Sequence, residues 1–189
     1  MKKLFTVLMT VAILCSISVP ALAADSAEVS DYLWEDVAEV VAASGVEGRF
    51  VTFDEVALMF WLPDVYEDVL EDEDREEGYI GFFMTDDGEA MVSVTYTPTD
   101  YTEPESYLKD LVDMEIDAEL VNCNGLDAVE YTFVDEEESA LFWCLDFLTT
   151  GGNMVEMTIY PITEDEDTQL VTTVILSSIQ PEDAEIAGK

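Results

Sequence analysis

The chain contains no histidine and very little positive charge: six lysines and arginines stand against 44 aspartates and glutamates in 189 residues. Without an imidazole the commonest general base and the commonest metal ligand are missing. Serine–histidine and cysteine–histidine catalysis are excluded, as is any zinc site that needs histidine. The shortage of cations excludes nucleic acid and anionic lipid as partners, because both are bound through clustered Lys and Arg. Cysteine is scarce as well, and only Cys123 and Cys144 lie outside the first 24 residues.

Those 24 residues, MKKLFTVLMTVAILCSISVPALAA, read as a secretory signal. Lys2 and Lys3 form the positive end, Leu4 to Val19 are mostly apolar, and Ala21-Leu22-Ala23 is a small-x-small cleavage site. The apolar run is short for a membrane anchor. A lipobox at Cys15 would need a small residue before it, where Leu14 stands. The expected product begins near Ala24 or Asp25 and is extracellular or periplasmic, with no membrane association after cleavage. Removal of Lys2 and Lys3 leaves Arg49, Arg75, Lys109 and Lys189 as the basic residues, for a formal charge of about −40. A hydrophobic content of 49% still argues for a packed core inside that acidic shell. About 165 residues suffice for one domain, expected over 25–181 with a loose tail over 182–189.

Periodicity predicts a helix over 25–44, with Val29, Leu33, Val37, Val40 and Val41 on one face and an Asp25/Glu28 capping box. Gly45 and Gly48 end it. "RFVTF" and "VALMFWLP" read as strands, and 64–78 as an acidic connection. "YIGFFMT" and "EAMVSVTYT" flank the turn Asp86-Asp87-Gly88. A Thr102/Glu105 capping box opens a helix with Pro104 in its first turn and Leu108, Leu111, Val112 and Glu115 along one face. Four strands follow: "AELVNC", "LDAVEYTFV", "ALFWCLDFLTT" and "MVEMTIYPI". A last helix starts at Thr163, capped with Glu166, and runs along Leu170, Val171, Val174, Ile175 and Ser178 to Pro181. No βαβ repeat is visible, so the sheet should be mainly antiparallel. Strands apolar on both parities, such as Leu141, Phe142, Trp143 and Leu145, suggest a sheet covered on both faces. The fold class is therefore α+β, a three-layer α/β/α sandwich.

"VALMFWLP", "SYLKDLV", "VNCNGLDAVEYTF" and "TTVILSSIQP", in that order over about residues 50–181, resemble the PsbP-like fold, named for an extrinsic protein of photosystem II and similar to secreted bacterial proteins of unassigned role. The family often carries a tryptophan just after the Leu-Pro, where "DVYEDV" stands here. The resemblance implies the fold and leaves the function open.

Few residues are candidates for chemistry. Asn124-Gly125 reads as a type I′ hairpin turn, which puts Cys123 opposite Leu126 and Glu119 opposite Glu130. A turn near Glu137 would put Glu130 opposite Cys144, so the two cysteines fall out of register and a disulfide is not expected. Glu119, Asp127 and Glu130 nearby should raise the Cys123 thiol pKa, the reverse of what a reactive cysteine needs. Of the acidic runs 71–77, 135–138 and 164–167, the first lacks the EF-hand order and the last lies at a predicted helix start, so solvated loops and helix caps explain them. Trp34, Trp61 and Trp143 belong to the core by the apolarity of their surroundings. Like charges crowded on one domain should shift carboxyl pKa values upward and favour mildly acidic pH. The reading that results is a secreted, monomeric, non-catalytic binding or accessory domain with an unidentified protein or small-molecule partner and no cofactor or metal. The alternatives are a calcium-responsive extracellular module and a carboxylate-dependent hydrolase.

Overall fold

The computed structural model describes residues 29–135, 140–161 and 166–184. The expected leader, the Asp25/Glu28 cap, the Thr163 cap and most of the runs 135–138 and 164–167 lie outside them. An eight-stranded sheet has the order β1 (Ser30–Tyr32), β7 (Ala118–Cys123), β8 (Leu126–Asp135), β9 (Ala140–Leu148), β10 (Asn153–Tyr160), β6 (Met91–Pro98), β5 (Tyr79–Thr85), β4 (Tyr66–Asp68). It is antiparallel apart from the β1–β7 pair, which is parallel. A second sheet has the order β11 (Gln180–Pro181), β3 (Leu58–Pro63), β2 (Gly48–Phe53).

The second sheet corrects the expectation of one. All six residues of β3 are buried, because each parity has its own partner. Leu58, Phe60 and Leu62 join the main core with Phe83, Leu145 and Ile175. Trp61 turns the other way, to Trp34, Val37 and Val41 of α1 (Trp34–Ser44) and Val174 of α4 (Glu166–Ser178). One face of the large sheet is thus covered by a small sheet and α4 together. On the opposite face, Tyr107 and Leu111 of α3 (Pro104–Asp113) pack on Val129. Gly48 is required beneath Trp61, since a Cβ there would stand 2.2 Å from the indole ring.

Three helix starts differ from the sequence pattern. Residues 30–32 pair with β7, and α1 begins only at Trp34, with Leu33 as N-cap and no side-chain cap of its own. The missing cap comes from afar: the Trp34 N–H donates to Asn124 Oδ1 at 2.9 Å. The N-cap of α3 is Glu103, without the Thr102/Glu105 box, and Pro104 follows in the first turn. Tyr107 replaces Val112 on its buried face, Val112 being 53% exposed. Residues 64–78 hold β4 and a five-residue helix α2 (Asp72–Glu76), where Glu71 and Asp74 form a reciprocal capping box. Gly45 ends α1 with a left-handed φ of 69°, as expected. The chain past α4 is tied down as far as Glu182, whose N–H donates to Ala57 O at 2.9 Å.

Candidate functional site

Asn124 and Gly125 both take positive φ, 49° and 92°, and β7 and β8 pair in the expected register, Cys123 with Leu126 and Glu119 with Glu130. The next hairpin is displaced by one residue, so that Glu130 faces Leu145 and Tyr131 faces Cys144. Cys123 and Cys144 are free and buried. Burial, with Glu130 nearby, raises the Cys123 thiol well above its ordinary value. Cys144 is pushed up to about 12, chiefly by burial and then by Glu156 and Asp146. Neither suits a nucleophile.

Two carboxyls sit where ionised carboxylates are costly. Asp146, in the middle of the apolar run "ALFWCLDFL", is 1% exposed beneath α3. The Tyr107 hydroxyl donates to its Oδ2 at 2.6 Å, while its Oδ1 has no partner. Across the β9–β10 ladder it faces Glu156. Burial raises the Asp146 carboxyl to about 7, with Glu156 adding to the rise and Tyr107 and Tyr131 opposing it. Glu156 is raised too, again by burial. On the other face Glu130 is 8% exposed and its Oε2 is unpartnered. It stands at about 7, raised by burial and by Glu119 opposite, with Tyr32 and Trp143 favouring its ionised form. Among the described residues no cation offsets these groups. Arg49 is engaged by Asp64 and the Tyr66 carbonyl, and Lys109 by Asp113. Sequence reasoning singled out neither Asp146 nor Glu156. An acid inside an otherwise apolar strand was the signal that could have found Asp146.

A pocket of about 230 Å³ opens between β4, the β5–β6 hairpin, the end of β10 and α4. Its wall includes Val65, Tyr66, Ala90, Ile159 and Val171, with Thr85 and Thr172 hydroxyls and the Glu89 carboxylate. Burial, with Asp87 nearby, pushes the Tyr66 phenol up to about 12, so it stays a neutral hydroxyl. Among the described residues no group of three or more acids or cysteines is placed to hold a metal ion. In the 71–77 run, Asp74 Oδ2 accepts the Glu71 N–H at 2.8 Å. Among the described residues no helix is long and apolar enough to cross a membrane.

No family model matches the chain, and no curated protein is similar to it in sequence. Solved structures are similar in fold. The solution structure of cyanobacterial PsbP from Synechocystis superposes with a TM-score of 0.51 at 15% identity, over 72% of this chain and 93% of that one. A crystal structure from Bacteroides thetaiotaomicron gives 0.50 at 12% identity, over 75% of this chain and 50% of that chain, so this chain spans only half of its length. The fold is PsbP-like, a mixed α+β arrangement on a large, mostly antiparallel sheet.

Proposed function

We propose that this chain is an exported, non-catalytic binding or accessory domain that works as a monomer, with the pocket beside α4 as its ligand site. The observation that carries the reading is a division of labour. The most perturbed carboxyls, Asp146 and Glu130, are closed in beneath α3 and against β1, where no substrate reaches them. The pocket that opens to solvent is walled by apolar and hydroxyl side chains, a lining suited to holding a ligand and poor in acid–base groups. The helices outside the large sheet, α3 on one side and α1 with α4 on the other, fit the outer layers of a three-layer sandwich. The lining favours a small, mainly apolar, neutral molecule or side chain, since the surrounding charge repels anions.

The test is retention. Protein incubated in the host's extracellular fluid is recovered and its bound molecules are identified by mass spectrometry, beside an Ala90→Phe variant whose ring fills the pocket. The expected result is a retained molecule that the variant loses. Turnover of a glycoside or ester substrate, abolished by Asp146→Asn or Glu130→Gln, would replace this reading with the hydrolase.

A further inference from the structure

Five side chains form one apolar row across the α3 face of the large sheet, beyond the end of that helix's contacts. Phe133 of β8 pairs with Phe142 of β9, and their rings stack with centroids 5.1 Å apart. Phe142 meets Tyr160 of β10 at 5.0 Å. Tyr160 pairs with Met91 of β6, and Met91 with Met84 of β5. At the usual strand spacing of ~4.8 Å the row is roughly 19 Å long, the length of an amphipathic helix of about 13 residues. None of the five belongs to the three core clusters of the described residues. Phe133 is 43% exposed and the other four are half-buried.

The surroundings of the row choose its partner. At one end Met84 pairs with Glu67, which is exposed. At the other, Phe133 and Val134 are exposed, and the chain as a whole carries 44 acidic residues against six basic ones. A second copy would bring a like charge of −38 against the first, which disfavours self-association. Aromatic rings accept cations on their faces, and methionines adapt to varied apolar surfaces. We propose that this row docks a basic amphipathic segment of a partner protein, with the segment's apolar side chains on the rings and methionines and its Lys and Arg toward Glu67 and the acidic surface of the domain.

Methyl NMR of the protein, isotope-labelled at its methionines, tests this with a synthetic Leu/Lys peptide whose leucines lie at helical spacing and with a scrambled peptide of the same composition. The patterned peptide should move the Met84 and Met91 signals and saturate, while the methyl of the buried Met59 reports an intact fold. The scrambled peptide should bind about tenfold more weakly, as should Phe133→Ser and Glu67→Lys, because truncating one anchor of a small interface commonly costs that much. Equal affinity for both peptides, shifts confined to other methyls, or no effect of either variant would overturn the proposal. So would a dimer in sedimentation that loses its contact in Phe133→Ser, or zwitterionic vesicles that move the same two methyls when the peptide does not.

Discussion

Asn124 does more than its turn demands. Its backbone takes the left-handed conformation, and its amide joins three distant parts of the chain. Oδ1 accepts the Trp34 N–H, and Nδ2 donates to the Ser177 and Ile179 carbonyls at 2.8 and 2.7 Å. The start of α1 and the end of α4 are therefore pinned to one hairpin tip. Nearby, Ser178 Oγ donates to Ile175 O and accepts the Trp61 N–H at 2.8 Å, which ties α4 to β3 as well. Removing the amide leaves one donor and two acceptors short of partners, at roughly 1 kcal/mol each net and more where water cannot reach them. Asn124→Ala should cost about 3 kcal/mol in urea unfolding. Asn124→Asp should cost nearly as much, because a carboxylate keeps the bond to Trp34 but repels both carbonyls. Asn122→Ala, which loses exposed bonds to Asp127 and the Gly125 N–H, should cost under about 1 kcal/mol. Equal losses at 122 and 124 would mean that the turn alone matters. The cysteines give a second check at this scale. Both should be silent to a thiol probe in the folded protein and both should react after unfolding without reductant. A mass two hydrogens lower would show a disulfide instead.

The hairpin β7–β8 could be read from sequence because Asn-Gly fixes its own register. The neighbouring β8–β9 register slipped by one because residues 136–139 carry no comparable turn signal. The start of α1 was hidden for a related reason: the group that caps it is 90 residues away. The small sheet was invisible too, since an apolar run such as β3 fits the centre of either sheet and its second partner, β11, is two residues long. Of the carboxyl pairs, Glu119/Glu130 was legible and Asp146/Glu156 was not. The second pair depends on the β9–β10 register, which a loop around Gly151-Gly152 does not set by itself. At this scale Asp146 acts as the anchor of α3, and pH should act through it. Asp146 and Glu130 hold their protons more tightly in the folded chain than in the unfolded one. The stability this contributes is present in full below about pH 4 and is lost as pH rises through about 7. Each group can contribute on the order of 2–4 kcal/mol over that window. Asp146→Asn keeps a partner for the Tyr107 hydroxyl and has no proton to lose. The variant should therefore match the parent near pH 4.5, exceed it at pH 8, and flatten the fall of melting temperature with pH. A parallel fall in both proteins would remove Asp146 as the cause.

For the molecule as a whole, charge crowding and burial make opposite claims about salt. Repulsion among some 40 like charges is screened over about 10 Å at 0.1 M, so a pH dependence that came from crowding alone would vanish in sodium chloride. The largest rises have another cause: at Asp146 and Glu130 burial leads and a neighbouring carboxylate adds less, and at Glu156 burial alone raises the carboxyl. Salt does not screen desolvation. Added sodium chloride should therefore raise the melting temperature at every pH, yet leave a clear preference for pH 5 over pH 8. Complete loss of that preference would assign it to crowding. Calcium separates the readings of the acidic run at 71–77 in the same experiment. There Glu71 and Asp74 already cap α2 through each other's backbone N–H, which leaves fewer free oxygens for the six to eight that calcium takes. Millimolar calcium should act as a screening cation, with magnesium nearly its equal at matched ionic strength. A saturating rise in melting temperature with calcium alone, abolished by the double change Asp72→Asn with Asp74→Asn, would show a specific site in this run. The calcium-responsive module would then displace the pocket-binding domain as the better account of the chain.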